Sequence, residues 1–278
     1  MKKIIISTDF SSNAENAIQY ALQLFANEKC AFYLLNAVKP PVHFEQYTWH
    51  GSPEPSNQEK SLEQLTALVE RLSNTTKNPE HLFIPHSAMN NVSGEIKELV
   101  QKEQIDIIVM GKQGTTGAKH ILFGSNTTEV IRSLKCPVIT VPADYEYNAP
   151  KHILFATDLE ITYGNELLKE LQFLATHHQS QIAVLHIKSA SGLSEQQENN
   201  KEVLDEVLGN IDHRFHLISH KDFRTAINDF QAEHHIDFLA MVKNKHTFIE
   251  RLFLSSNIKQ IGLRMSVPFM VLPFPTIK

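Results

Sequence analysis

Apolar residues in this chain gather in short continuous runs, separated by longer stretches of helical period. Runs such as Lys3-Ile4-Ile5-Ile6-Ser7-Thr8 and Ile105-Asp106-Ile107-Ile108-Val109-Met110 are too short for core helices and apolar on both faces, the signature of strands in a covered parallel sheet. Between them Ala14, Ala17, Ile18, Ala21, Leu22 and Phe25 recur at i, i+3, i+4 and i+7, one face of a helix. The pattern predicts strands over about 3–8, 31–38, 81–86, 106–110 and 137–141. It predicts helices over about 13–27, 57–76, 91–103 and 126–134. Ser11 or Ser12 is placed to cap the first helix, and Asn90 or Asn91 the third. Alternating strand and helix with right-handed crossovers gives an α/β fold, a doubly wound parallel sheet. Such sheets bind ligands outside the carboxyl ends of their strands, at the switch point.

The pattern then repeats. Lys3-Ile4-Ile5-Ile6-Ser7-Thr8-Asp9 returns as His152-Ile153-Leu154-Phe155-Ala156-Thr157-Asp158, an offset of 149. Ile108-Val109-Met110 returns as Leu239-Ala240-Met241, and Cys136-Pro137-Val138 as Val267-Pro268-Phe269, both at an offset of 131. The second copy is therefore shorter by 18 residues, lost between its second and third strands. There the first copy carries the proline-rich stretch Pro40-Pro41 to Gly51-Ser52-Pro53-Glu54-Pro55, which reads as a long irregular connection. The expected organisation is two tandem domains of five strands each, residues 1–144 and 150–278, linked through Tyr145-Glu146-Tyr147-Asn148-Ala149-Pro150. Val138, Ile139 and Val141 in one copy, and Phe269, Met270, Val271 and Leu272 in the other, form apolar closing strands that need cover. Their pairing would make the chain an intramolecular pseudo-dimer. Whether whole chains form a homodimer is left open.

Composition narrows the function. A length of 278 residues suits two domains, and 42% hydrophobic residues can fill their cores. The net charge of -5 argues against nucleic acid as a partner. No apolar run approaches the roughly 20 residues of a membrane span, so no membrane insertion is expected. Met1-Lys2-Lys3-Ile4-Ile5-Ile6 ends too soon for a signal peptide and reads as a first strand. Cys30 and Cys136 have no metal-type spacing, read as structural thiols, and suit a cytoplasmic location. The 15 histidines include no H-E-x-x-H, and no metal ligands are assigned.

One stretch carries chemistry. Gly111-Lys112-Gln113-Gly114, nine further residues and Gly124-Ser125 lie between an apolar strand and the helix start Asn126-Thr127-Thr128. Strand, glycine loop and helix N-terminus together build a phosphate site, because glycine lets the backbone approach and the first helical N–H groups point at an anion. The spacing Gly-x2-Gly-x9-Gly-Ser resembles the ATP-binding signature of the universal stress protein family. The opening Ser7-Thr8-Asp9-Phe10-Ser11 and the close Cys136-Pro137-Val138-Ile139-Thr140-Val141-Pro142 resemble that family too, so the likeness spans the whole first copy.

The resemblance implies a Rossmann-like fold of the adenine nucleotide alpha-hydrolase type, with ATP as the ligand, with or without magnesium. It places Ser7 and Asp9 near the ribose, and the Ala37 backbone at the adenine. Met110 and Gly111 line the ribose side, and Gly114, Gly124, Ser125, Asn126 and Thr127 surround the phosphates. Asn126 departs from the small apolar residue frequent in the family. Lys112 and His120 lie in the loop within reach of phosphate or solvent.

In the second copy Gly111 becomes Val242, Gly114 becomes Lys245, Gly117 becomes Phe248 and Gly124 becomes Ser255. Asp158 survives opposite Asp9, as a remnant or as an ordinary turn residue. One competent ATP site per chain is expected. No Walker loop, nucleophile elbow or kinase motif set is present, so the expected role is a stress-response or regulatory nucleotide-binding module, at most a slow ATPase. A reading from another class is a scaffold or carrier that binds a protein or lipophilic ligand through the second copy or the 40–56 segment.

Overall fold

The computed structural model describes residues 1–38, 56–112, 123–188, 192–220, 222–243 and 266–274. Its elements run β1 (Lys2–Ser7), α1 (Ser12–Leu24), β2 (Cys30–Ala37), α2 (Asn57–Thr75), β3 (His81–Ala88), α3 (Val92–Glu103), β4 (Ile107–Gly111), α4 (Ser125–Ser133) and β5 (Val138–Val141). The second half follows with β6 (His152–Thr157), α5 (Asn165–His178), β7 (Gln181–Lys188), α6 (Glu195–Leu208), β8 (His213–Ser219), α7 (Phe223–Glu233), β9 (Phe238–Lys243) and β10 (Phe269–Pro273). Each expected strand and helix of the first copy appears, displaced at most by a few residues at its ends. Ser11 caps α1 and Asn91 caps α3 through their side-chain oxygens.

Among the described residues, ten strands form one sheet in the order β3-β2-β1-β4-β5-β10-β9-β6-β7-β8. Every pairing is parallel except the central one, where β5 and β10 run antiparallel. Ile139 pairs with Met270, its own counterpart at the offset of 131, so a pseudo-twofold axis passes between these two residues. The closing strands of the two copies thus cover each other.

Strand alternation feeds two cores. Ile4, Ile6, Ile107 and Val109 face the layer of α1, α2, α5 and α6, while Ile5, Ile108 and Met110 face α3, α4 and α7. Both cores run across the seam. On the first face Phe25 stacks on Phe173 at 6.3 Å, and Lys2 reaches over the Phe173 ring to pair with Glu170 at 2.6 Å. On the second, Phe123 stacks on Phe269, and the Lys243 ammonium donates to the Ile131 and Arg132 carbonyls at 2.7 Å. A cation there complements the negative end of the α4 dipole.

The shortening of the second copy is shared. Part falls between β7 and α6, as the proline-rich segment implies, but α6 itself has 14 residues where α2 has 19.

Candidate functional site

In the first half the order β3-β2-β1-β4-β5 reverses between β1 and β4, and the carboxyl ends of those two strands lie side by side. Ser7 closes β1 and is half-buried. After it the chain makes a tight turn. The buried Thr8 accepts from the Phe10 N–H at 3.0 Å, Phe10 takes the left-handed conformation at φ 61°, and the exposed Asp9 carboxylate accepts from the Ser11 N–H at 3.1 Å. Such a backbone is strained for a side chain as large as phenylalanine and persists only where its surroundings fix it.

A polar relay supplies that fixing. Asn36 donates to the Thr8 carbonyl at 2.7 Å, Ser61 donates to Asn36 at 2.7 Å, and Ser87 donates to Ser61 at 2.8 Å. Ala37 ends β2 opposite Ala88. Neither Asn36 nor Ser61 stands out from the sequence. The available signal was the Thr-Asp pair, kept in both copies as Thr8-Asp9 and Thr157-Asp158.

Across the switch point Met110 is buried and Gly111 closes β4. A Cβ at position 111 would lie 3.1 Å from the carbonyl oxygen of Asn13, in the first turn of α1. The glycine is therefore demanded by the packing of α1 as well as by any ligand. The Lys112 N–H donates to the Val141 carbonyl at 2.7 Å, and the Gly124 N–H donates to the Lys112 carbonyl at 2.8 Å, which holds positions 112 and 124 together. Gly114 and His120 lie outside the described residues.

Gly124 then heads α4 with no side chain capping the helix, and Ser125 and Asn126 are exposed in its first turn. Uncapped first-turn N–H groups are free to meet an anion. Thr127 turns inward, buried, with its hydroxyl donating to the Gly111 carbonyl at 3.2 Å, so its side chain ties α4 to β4. Lys112 is half-buried, lines a cleft with Ser266 of the second half, and has its ammonium pKa pushed down by burial. Sequence reasoning placed this lysine within reach of phosphate or solvent.

The second half repeats the turn and closes the space beyond it. Leu159 takes φ 58° and donates to the Thr157 hydroxyl at 2.9 Å, as Phe10 does to Thr8. His186 accompanies the Thr157 carbonyl at 3.1 Å, as Asn36 does Thr8. Beyond the turn, α5 starts only at Asn165, and the side chains of Leu159, Ile161 and Tyr163 are buried in the core. Tyr163 hydrogen-bonds the Thr157 hydroxyl and packs edge-on to Phe155. The first helical turn that forbids a side chain at Gly111 has no equivalent here, and Val242 occupies that position, buried. Asp158 is partly enclosed. Burial raises its carboxyl pKa, opposed by the hydrogen bond it accepts from Glu160. The counterparts Lys245, Phe248 and Ser255 lie outside the described residues.

A turn at Asp9 and an uncapped helix start at Gly124, set at the switch point of a doubly wound sheet, define a Rossmann-like α/β protein. Residues 1–142 match the universal stress protein family, and the chain belongs to that family. It is similar over 151 residues, at 33% identity, to a universal stress protein of Methanocaldococcus jannaschii, covering 50% of this chain and 81% of that protein. A universal stress protein of Synechocystis is 25% identical over 295 residues, covering 96% of this chain and 98% of its own. The crystal structure of a universal stress protein from Archaeoglobus fulgidus superposes with a TM-score of 0.66 at 16% identity, covering 98% of this chain and 96% of that one. The last likeness establishes the fold: the chain consists of two such halves. Among the described residues no helix is long and apolar enough to cross a membrane.

Proposed function

We propose that the protein is a tandem universal stress protein that binds ATP in its first domain, residues 1–144, and acts as a stress-response nucleotide module in the cytoplasm. The second domain, residues 150–278, carries no competent site. The observation that supports this most directly is the uncapped start of α4 at Gly124, tied by Thr127 to the end of β4 beside the Asp9 turn. The phosphates meet the N–H groups of Ser125, Asn126 and Thr127 and the loop at Gly114. Asp9 and Ser7 take the ribose between the ends of β1 and β4, with Met110 and Gly111 on its other side, and the Ala37 backbone meets adenine. Magnesium, if bound, rides on the phosphates.

Calorimetric titration with ATP tests this. The expected result is one site per chain in the unaltered protein and none in Gly114→Lys, which copies the second half's Lys245. Unchanged affinity in that variant, or two sites per chain, would overturn the reading.

A further inference from the structure

The helix whose start receives the phosphates in the reading above is poorly able to form alone. α4 has nine residues, and an isolated helix shorter than about 12–15 residues is marginal in water. Gly124 gives it no side-chain cap, so its free N–H groups come at the expense of the usual local stabiliser at that end. Support has to come from packing.

The first half supplies part of it. Thr127 bonds to the Gly111 carbonyl, Ser93 of α3 donates to Glu129 at 2.5 Å, and Val130 and Ile131 are buried. The second half reaches both ends of the helix. At the entry, Phe123 directly precedes Gly124, is buried, and stacks on Phe269 of β10 at 5.9 Å. An apolar residue at that place often packs on the fourth residue of its own helix. Here that residue is Thr128, and Phe269 takes the part instead. At the exit, the Val130 carbonyl accepts from the Leu134 N–H, while those of Ile131 and Arg132 lie past the last intrahelical donor. Lys243, at the end of β9, donates to both at 2.7 Å.

The halves are joined without this lysine. The β5–β10 ladder, the Phe25–Phe173 stack and the linker tyrosines Tyr145 and Tyr147, packed on Tyr20 at 5.9 and 5.5 Å, all hold the seam elsewhere. Lys243 answers Lys112 at the offset of 131, next to Val242, which answers Gly111. The second copy has replaced the glycine and retained the cation.

We propose that the second half is the positioning element of the first half's phosphate site, with Lys243 as the positioning residue that couples them. The proposal rests on the ATP reading of that site. α4 is about 13 Å long at 1.5 Å per residue, so a lysine at its exit acts on the phosphates through the helix and not by contact. By satisfying the two last-turn carbonyls and the negative end of the dipole, it keeps the first-turn N–H groups formed and aimed. A half without a competent site of its own thereby sets the affinity of the other.

The test is calorimetric titration with ATP, together with amide hydrogen exchange across α4 in the nucleotide-free chain. Lys243→Met keeps most of the stem and removes the donor. It should weaken ATP binding about fivefold or more, the usual range for coupled sites, and speed exchange at residues 128–134. Lys243→Arg, whose guanidinium reaches both carbonyls, should restore affinity and protection together. Phe173→Leu loosens the seam on the opposite face of the sheet, so it should lower the unfolding midpoint and leave ATP affinity and α4 exchange as in the parent. Full ATP affinity in Lys243→Met, beside a parent that binds ATP, overturns the proposal and leaves the nucleotide reading standing. An equal loss of affinity in Phe173→Leu, or α4 exchange indifferent to Lys243→Met, overturns it too. A parent that binds no ATP refutes the nucleotide reading itself, and the proposal falls with it.

Discussion

Gly111→Ala separates what the fold asks of this glycine from what a ligand asks. The added Cβ would sit 3.1 Å from the Asn13 carbonyl oxygen and 3.3 Å from its carbonyl carbon. Both are backbone atoms in the first turn of α1, so relief requires moving the helix rather than rotating a side chain. Overpacking of this kind costs about 1–3 kcal/mol. For a chain of this size that is a fall in melting temperature of roughly 2–10 °C.

The second half supplies the control. Val242 fills the equivalent position, and Val242→Ala removes two buried methyl-sized groups, a loss of at least about 1.6 kcal/mol with a cavity term added. Alanine is thus too large at 111 and too small at 242. Thermal unfolding without nucleotide measures both losses, and ATP titration of the folded Gly111→Ala protein measures the ligand's share. A Gly111→Ala protein as stable as the parent would refute the packing argument. Full ATP affinity in a destabilised Gly111→Ala would make the glycine a structural requirement alone.

Two further outcomes follow from buried charge. Lys2→Met strands the enclosed Glu170 carboxylate and should cost about 3–5 kcal/mol, most of it recovered when Glu170→Leu is added; a double variant as unstable as the single would contradict this. His186 is held below the usual histidine range, chiefly by burial and against the pull of its hydrogen bond to the Thr157 carbonyl. Below about pH 6.5 the unfolded chain then binds protons that the folded one refuses, so stability should fall as pH drops through that value and level off above it. His178 and His216 are shifted the same way. His186→Asn, which copies Asn36, should flatten the slope between about pH 7.5 and 5.5, and an unchanged slope counts against the assignment.

Strands and helices were legible because both faces of the sheet are covered. A continuous apolar run such as Ile107-Ile108-Val109-Met110 leaves little choice of element, and the offset between copies identified the pair that closes the seam. What pattern could not supply was distance. Asn13 and Gly111 are 98 positions apart, and nothing in either marks their approach; only the start of α1 one turn earlier than α5 makes the glycine necessary. The inward turn of the Thr127 hydroxyl onto the Gly111 carbonyl also depends on a neighbour remote in sequence. The relay Asn36-Ser61-Ser87 was invisible because a buried amide reads like any polar residue in a strand until its partners are placed. The linker read as a spacer, yet its tyrosines are packing elements.

The β5–β10 pairing has a consequence for assembly. A strand edge is a binding valence. This chain spends both of its closing strands on itself, so growth through that edge stops at one molecule. The outer strands left over are β3, interrupted by Pro85, and β8, which exposes Arg214. Proline lacks the donor a new ladder needs, and charge resists stacking of like edges. Pairing the two halves through their closing strands within one polypeptide thus fixes their orientation and withdraws that edge from exchange with other chains.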